Sequence, residues 1–211
     1  MAMKSFDHLR CCPEARVAVL SLPAQGLAAA AVLAAQATAP AGVDVHGIAR
    51  VGGRPAPNVV VWLDAPNTPR TLKAPKVVLD QRNLSFSPQV LAVRVGTTVQ
   101  FPNNDRVFHN VFSFRDGKRF DLGMYPVGAT QPVTFDKAGL SRIFCNIHPN
   151  MAAYVMTVDT PYFAVSGASG AFNLMSVPPS RYTYHAWRAG AQELSGVWEP
   201  GNVSLTVEWP S

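Results

Sequence analysis

The chain has 211 residues, which is enough for one sizeable domain or two small ones, and its formal net charge is +5 at pH 7. Its 18 prolines and 15 glycines divide it into short segments, and no long apolar helical repeat follows the N-terminal region. The composition therefore predicts an all-β protein. The basic residues are scattered rather than gathered into an arginine-rich stripe with interleaved aromatics, which argues against nucleic-acid binding.

The N-terminal region has the pattern of a secretory signal peptide. A basic leader with Lys4, Arg10 and Arg16 precedes an apolar stretch at 17–37, and the small residues at its end resemble a cleavage site. An uncleaved membrane anchor is the alternative, which the alanine-rich composition disfavours. We therefore expect the leader to be removed, and the mature chain to be periplasmic or secreted and to have no membrane span.

Removal of the leader changes the cysteine count. Cys11 and Cys12 lie within it, so Cys145 becomes the only thiol of the mature chain. A lone thiol in an oxidising compartment is a liability unless it has a partner chain, is buried or binds a metal.

Strand-like patterns begin at Val43. Residues 43–50 alternate between apolar and polar, and 58–64 form a continuous apolar run, which is typical of a strand buried on both faces. Residues 65–76 are rich in proline and basic residues and predict a linker. Further strand-like runs occupy 77–80, 84–87, 90–95, 98–102, 109–114, 132–135, 140–145 and 153–159. Their spacing predicts a Greek-key sandwich.

The composition changes again after residue 160, and a last alternating strand covers 202–209. These changes divide the chain into four parts. We expect a signal peptide at 1–37, the first part of a β-sandwich at 38–70, a second β-domain at 75–159, and the remaining part of the first sandwich at 160–211.

The sequence FCNIHPNM at 144–151 places Cys145, His148 and Met151 within seven residues, and His109 lies 36 positions before the cysteine. A thiolate and two imidazoles form a trigonal plane that suits copper in both oxidation states, and a weak axial thioether favours Cu(I). Pro149 stiffens the loop and removes a backbone donor. The pattern therefore predicts a mononuclear type 1 copper site.

Other interpretations fit less well. Buried Cys and Met are ordinary core residues. Here, however, four residues with side chains that bind metals lie at this spacing, and one of them is the only cysteine of the mature chain. Structural zinc rarely uses methionine, and a catalytic zinc site or a cysteine nucleophile would want an acidic partner. No Asp or Glu lies between Cys145 and Met151. A binuclear purple-copper site needs two cysteines in the loop.

The region from 77 to 159 resembles the cupredoxins, in the plastocyanin and amicyanin branch. LSFSPQVLAVRVGTTVQFPNNDRVFHNVFSF at 84–114 is similar in order to that family's opening strands, and FCNIHPNM is similar to its ligand loop. The two-residue gap between His148 and Met151 is the short, amicyanin-like version. Proteins that combine such a cupredoxin with a second small β-domain, which the flanking segments predict here, are often labelled methylamine-utilisation-like.

The resemblance implies a role for each residue of the constellation. His109 and His148 are the expected nitrogen ligands, Cys145 the thiolate and Met151 the axial sulfur. Residues expected beside the ligands are Asn110, Phe144 and Pro149, with Asn110 linking the two ligand-bearing segments near the thiolate. His148 is the expected electron port, where a redox partner protein docks on an apolar face.

The flanking segments resemble carboxypeptidase regulatory-like (transthyretin-like) domains, which have a carbohydrate-binding-like β-sandwich. The similar segments are HGIARVGGRPAPNVVVWLD at 46–64 and ASGAFNLMSVPPSRYTYHAW at 168–187, in which Ser180 replaces a usual glycine. This resemblance implies a cupredoxin inserted in, or next to, a second small sandwich.

Histidines, methionines and tryptophans outside the constellation are predicted to be structural. We expect His185 to be a satisfied or exposed strand residue. Core packing is expected for Met124, Met156 and Met175, and core or inter-domain packing for Trp187, Trp198 and Trp209.

Three functions remain open at this point. The first is a copper electron carrier that cycles Cu(II)/Cu(I) and is not an enzyme. The second is a periplasmic copper delivery or storage protein without redox cycling. The third is a carbohydrate-binding module with a structural metal.

Overall fold

The computed structural model describes residues 42–65, 76–114 and 116–211, and these residues form strands, turns and loops without a helix. No membrane-spanning helix is therefore found among them. The predicted leader and residues 66–75 of the predicted linker lie outside the described residues. The all-β prediction is confirmed.

The strands are numbered in chain order. They are β1 (Val43–Val51), β2 (Arg54–Pro55), β3 (Val60–Leu63), β4 (Val77–Val78), β5 (Asp80–Arg82), β6 (Ser85–Ser87), β7 (Val90–Arg94), β8 (Thr97–Pro102), β9 (His109–Ser113), β10 (Phe120–Tyr125), β11 (Thr130–Phe135), β12 (Gly139–Phe144), β13 (Ala152–Val158), β14 (Phe163–Val165), β15 (Ala171–Val177), β16 (Tyr182–Trp187), β17 (Leu194–Trp198) and β18 (Ser204–Trp209).

One sandwich is built from both flanks of the sequence. Its first sheet has the order β15-β1-β18, with β2 paired to β1, and its second has the order β14-β3-β16-β17. Alternate residues of β15 and β18 point inward, as their alternating burial shows. Their apolar side chains meet those of β1 and β3 in one core, which includes Trp198 and Trp209. We call this unit the outer sandwich.

The intervening sequence builds a second sandwich, here called the inner sandwich. Its larger sheet has the order β10-β9-β12-β13-β7, and its smaller sheet has the order β11-β8-β4. The β5–β6 hairpin stands beside these sheets. Phe101 and Phe135 from the smaller sheet are fully buried against Val111, Ile143 and Val155 of the larger one, so the core lies between the two sheets.

The two sandwiches pack through strands that are buried on both faces. On β3, Val61 points into the outer core, whereas Val60 joins an apolar cluster with Val90, Met156 and Val158 of the inner sandwich. On β13, Val155 points into the inner core and Met156 joins the same cluster. The period of two along a strand produces this division. The prediction that the 58–64 run is buried on both faces is confirmed.

The predicted core methionines are only partly confirmed. Met156 is buried, but Met124 and Met175 are 59% and 60% exposed. Both lie on strands with one solvated face, so an apolar residue at an outward position gains no core contact. The tryptophan prediction is confirmed, because Trp198 and Trp209 are core residues and Trp187 packs at the inter-sandwich cluster.

His185 on β16 is a satisfied strand residue, as predicted. Its ring stacks on Trp62, and its two nitrogens lie 2.9 Å from Glu193 Oε1 and 3.0 Å from Asp64 Oδ2. Burial lowers its pKa, but the two carboxylates outweigh that effect, so the pKa is raised above its ordinary value. His185 therefore links β16 to the end of β3, through its contacts with Trp62 and Asp64.

The Val60→Asp substitution tests the packing between the sandwiches. It places an unpaired carboxylate in the cluster with Val90 and Met156, where Val60 is fully buried. We expect the free energy of unfolding, measured in urea, to fall by about 3 kcal/mol. Val78→Asp is the control, because Val78 is 45% exposed and the same change there should cost little. Equal effects of the two substitutions would contradict this packing.

Candidate metal centre

A tight loop between β12 and β13 carries three of the four predicted ligands. Cys145 directly follows β12, and its backbone N–H donates to the carbonyl of Met151 at 3.2 Å. The N–H of Met151 donates to the carbonyl of His148 at 2.9 Å. These bonds close the loop, and Cys145 and Met151 are both buried in the inner core.

His109 reaches the loop from the neighbouring strand. It is the first residue of β9 and is fully buried. Strand β9 pairs with β12 through Phe112 and Phe144, next to Cys145. The sheet therefore brings the histidine beside the loop despite the 36 residues that separate it from the cysteine.

The structure brings together three donor atoms from these residues. The Nδ1 atoms of His109 and His148 lie 3.1 Å apart, and Cys145 Sγ lies 3.5 Å from His148 Nδ1 and 3.9 Å from His109 Nδ1. Cys145 and His109 are buried, whereas His148 is half-buried. Met151 is 1% exposed at the end of the same loop.

The donor set fits a soft metal ion. Ligands that each lie about 2.0–2.3 Å from one ion are themselves about 3–4 Å apart, which matches the spacing of these three atoms. A thiolate and two imidazole lone pairs at this spacing repel one another unless a cation lies between them. Cys145, His109 and His148 would hold the ion, and the Cys-His₂ set with a nearby methionine suits copper.

Asp105 binds the other side of the His109 ring. Its Oδ2 lies 3.0 Å from His109 Nε2, and its side chain is 8% exposed. Burial raises the pKa of the carboxyl, but hydrogen bonds from the amides of Leu84 and Arg106 and from His109 outweigh it and lower the pKa to about 2. The carboxylate is therefore ionised beside a buried histidine, and in metal sites such an arrangement commonly orients the metal-bound imidazole.

Asn103 holds the segment that leads into His109. Its Nδ2 donates to the carbonyls of Val107 and Tyr125 at 2.9 and 3.2 Å, and its Oδ1 accepts from the N–H of Asp105 at 3.1 Å. The side chain is fully buried. It thus connects two backbone groups of this loop, at Val107 and Asp105, with the carbonyl of Tyr125 on β10.

Asp105 and Asn103 were not among the site residues predicted from the sequence. A carboxylate four residues before the candidate ligand was a usable signal, because metal-bound histidines often donate their second nitrogen to a carboxylate. Asn103 lies in the Asn-Asn turn, where amides often bind nearby backbone groups. Neither signal specifies which way a side chain points from a loop.

The residues expected beside the ligands lie in different settings. The side chain of Asn110 is buried, and its Nδ2 donates to Asp121 Oδ1 at 2.8 Å, so this bond ties β9 to β10 rather than to the ligand loop. Its oxygen has no hydrogen-bond partner among the described residues. Phe144 is half-buried with its ring centroid 5.9 Å from that of Phe112, and Pro149 is exposed.

Comparison with known proteins agrees with this site. Residues 74–159 match a family described as copper binding proteins, plastocyanin/azurin family. The match covers less than half of the chain, and it contains all four predicted ligands. This segment is therefore a cupredoxin domain. No curated protein matches the chain.

Several solved structures are similar to part of the chain. A purple cupredoxin from Nitrosopumilus maritimus is 26% identical over 39% of this chain and 100% of its own, with a TM-score of 0.37. Amicyanin from Paracoccus versutus is 26% identical over 41% of this chain and 85% of its own, with a TM-score of 0.37. A Cu-containing nitrite reductase from Thermus scotoductus is 26% identical over 46% of this chain and 25% of its own, with a TM-score of 0.40.

The Asn103→Ala substitution tests the support of the His109 segment. It removes three hydrogen bonds of a fully buried side chain, so we expect the free energy of unfolding to fall by roughly 2–3 kcal/mol in urea titrations. The neighbouring Asn104→Ala is the matched control, because Asn104 is exposed and its side-chain Nδ2 donates to Asp80 Oδ1 at 2.8 Å, on the protein surface. A loss of stability in the control as large as in Asn103→Ala would contradict the assigned role.

Proposed function

We propose that the protein is a one-electron carrier with a mononuclear type 1 copper site formed by His109, Cys145, His148 and Met151. The observation that carries this proposal is the convergence of Cys145 Sγ and two histidine Nδ1 atoms, all within 4.8 Å of one another. The family match of residues 74–159 supports it independently. Bound copper would supply the Cu(II)/Cu(I) couple, which exchanges single electrons.

The residues around the site favour a ligand geometry that changes little between oxidation states. Cys145 and Met151 are anchored to each other through the backbone, and His109 is held by Asp105 at its second nitrogen. The strands β12 and β13, which carry the loop, pair along six consecutive residues. A ligand set fixed in this way lowers the reorganisation that accompanies electron transfer.

His148 is the best candidate for the point of electron entry and exit. It is half-buried, whereas His109 is fully buried. Exposed apolar residues flank the two histidines in sequence, with Val107 at 41%, Phe108 at 52% and Ile147 at 45% exposure. A small apolar face of this kind suits brief complexes with a redox partner protein.

We also place this carrier in the periplasm or outside the cell, and we assign it no bond chemistry on a substrate. The basic and apolar pattern of residues 1–37 supports the location, as does Cys145 being the one cysteine that follows it. A resident copper site that needs no other thiol nearby is compatible with an oxidising compartment.

The Cys145→Ser substitution tests the ligand set. Purified protein should become intensely coloured on addition of Cu(II), and this variant should lose the thiolate-dependent visible band while keeping its circular dichroism. His46→Ala is the control, because His46 is an exposed strand residue bonded to Asn173 and should retain the colour. Retained colour in Cys145→Ser would contradict the assignment of Cys145 as the thiolate ligand. Labile Cu(I) with no stable coloured form in the wild type would indicate copper delivery instead.

The Ile147→Glu substitution tests the docking face. We expect electron self-exchange between the Cu(I) and Cu(II) forms, measured by NMR line broadening, to slow by about tenfold, because like charges then meet at the contact. The visible spectrum should not change. Val203→Glu is the control, because Val203 is 57% exposed in the outer sandwich. An unchanged rate in Ile147→Glu would show that electrons leave elsewhere.

A further inference from the structure

The two nitrogens of the buried His109 ring have different partners. Nδ1 faces Cys145 and His148, whereas Nε2 lies 3.0 Å from Asp105 Oδ2. A neutral imidazole carries its proton on one nitrogen and a lone pair on the other. An ionised carboxylate only accepts hydrogen bonds, so it requires the proton to be on Nε2, which leaves the Nδ1 lone pair for a metal.

The carboxylate is itself held by backbone amides. Leu84 N–H donates to Oδ2 at 2.7 Å, and Arg106 N–H donates to Oδ1 at 2.8 Å. Together with His109, three N–H groups point at its two oxygens. Such donors favour the ionised form and prevent rotation of the carboxylate plane.

Leu84 lies in an uncommon backbone conformation. It forms the tip of the β5–β6 hairpin with Asn83, and both residues have positive φ, +57° for Leu84 and +52° for Asn83. Asn tolerates this region, whereas leucine has no side-chain hydrogen bond to offset the steric cost. The conformation aims the Leu84 amide at Asp105. Asn83 and Leu84 are the two loop residues between β5 and β6, and a two-residue hairpin of this kind requires positive φ at both positions, so the turn itself accounts for the conformation.

We propose that Asp105, oriented by the Leu84 amide at this hairpin tip, is a positioning residue that fixes His109 in its Nε2–H tautomer and biases the bound copper toward Cu(II). The first half concerns the polypeptide alone. The second half rests on the proposed function, because it requires copper at the site.

The bias toward Cu(II) follows from electrostatics. A buried negative charge attracts a divalent ion more strongly than a monovalent one, and the low dielectric of the interior enlarges the difference. The charge of Asp105 lies close to the proposed metal position, since one imidazole ring separates Asp105 from the donor atoms. Removing the charge should therefore weaken Cu(II) binding more than Cu(I) binding and raise the reduction potential.

The tautomer is tested by ¹⁵N NMR of the histidine rings in the metal-free full chain. In the wild type, we expect the His109 proton on Nε2, and a dominant Nδ1–H tautomer would overturn the proposal without any variant. In Asp105→Asn, we expect a substantial Nδ1–H population at His109. Asp136→Asn is the matched control, because Asp136 is an exposed carboxylate paired with Lys118. It should leave the His109 signals unchanged.

The redox bias is tested by measuring Cu(II) and Cu(I) affinities of the same proteins. For Asp105→Asn we expect the ratio of Cu(II) to Cu(I) affinity to fall about tenfold, which corresponds to about 59 mV in potential. Asp105→Glu keeps the charge and should restore most of the ratio. A ratio in Asp105→Asn equal to that of Asp136→Asn overturns the bias. Failure of the wild type to form a coloured Cu(II) site would instead reject the proposed function, while the NMR result on the tautomer would stand.

Discussion

One end of the ligand loop is fixed by β13, which lies between two apolar layers, and the other end is fixed by β12, which pairs with β13. On β13, alternate residues enter the inner core and the inter-sandwich cluster, so this strand has no solvated face along most of its length. Strand β12 pairs with it in register from Gly139 to Phe144, directly before Cys145. A strand in such a position cannot shift by one residue without exchanging its two buried faces. This restraint places Cys145 and Met151 with a precision that a loop on a free hairpin would lack.

The second part of the site depends on a buried polar network rather than on apolar packing. His109 is fully buried, so each of its ring nitrogens needs a partner inside the protein. Asp105 lies against one nitrogen, and Cys145 and His148 lie beside the other. Asn103 and the Leu84 amide in turn fix Asp105 and the segment before His109. The paired strands β12 and β13 thus hold the loop with Cys145, His148 and Met151, and a buried hydrogen-bond network holds His109.

The candidate ligands stand out in the sequence because their chemistry is unusual and their spacing is short, and the structure brings the donor atoms of His109, Cys145 and His148 together. One thiol, two imidazoles and a thioether in a fixed pattern are rare, and the family resemblance added their expected roles. Strand β10 could not be predicted in the same way, since Asp121 and Gly123 break the alternation and the register shifts between Asp121 and Met124. Asp105 and Asn103 were missed because a loop carries no periodicity from which to infer side-chain direction. The exposure of Met124 and Met175 depends likewise on which face of a strand is covered, and residue type alone does not specify it.

The outer sandwich can be completed only at the end of synthesis, because its first sheet includes the last strand of the chain. Strand β1 pairs in parallel with β18, from His46 with Ser204 to Val51 with Trp209. These two strands are the first and the last that the structure describes, so bringing them together carries a large entropic cost. The pairing also cannot form before β18 has been synthesised. The segment of the inner sandwich is synthesised well before β18, so its own contacts are available first. Val60, which covers Val90, Met156 and Val158 in the finished protein, is already present then, but β14 and β16, which hold its strand β3 in the outer sandwich, are made only afterwards. The outer sandwich therefore also acts as a late cap on an apolar surface that is exposed while the chain is being made.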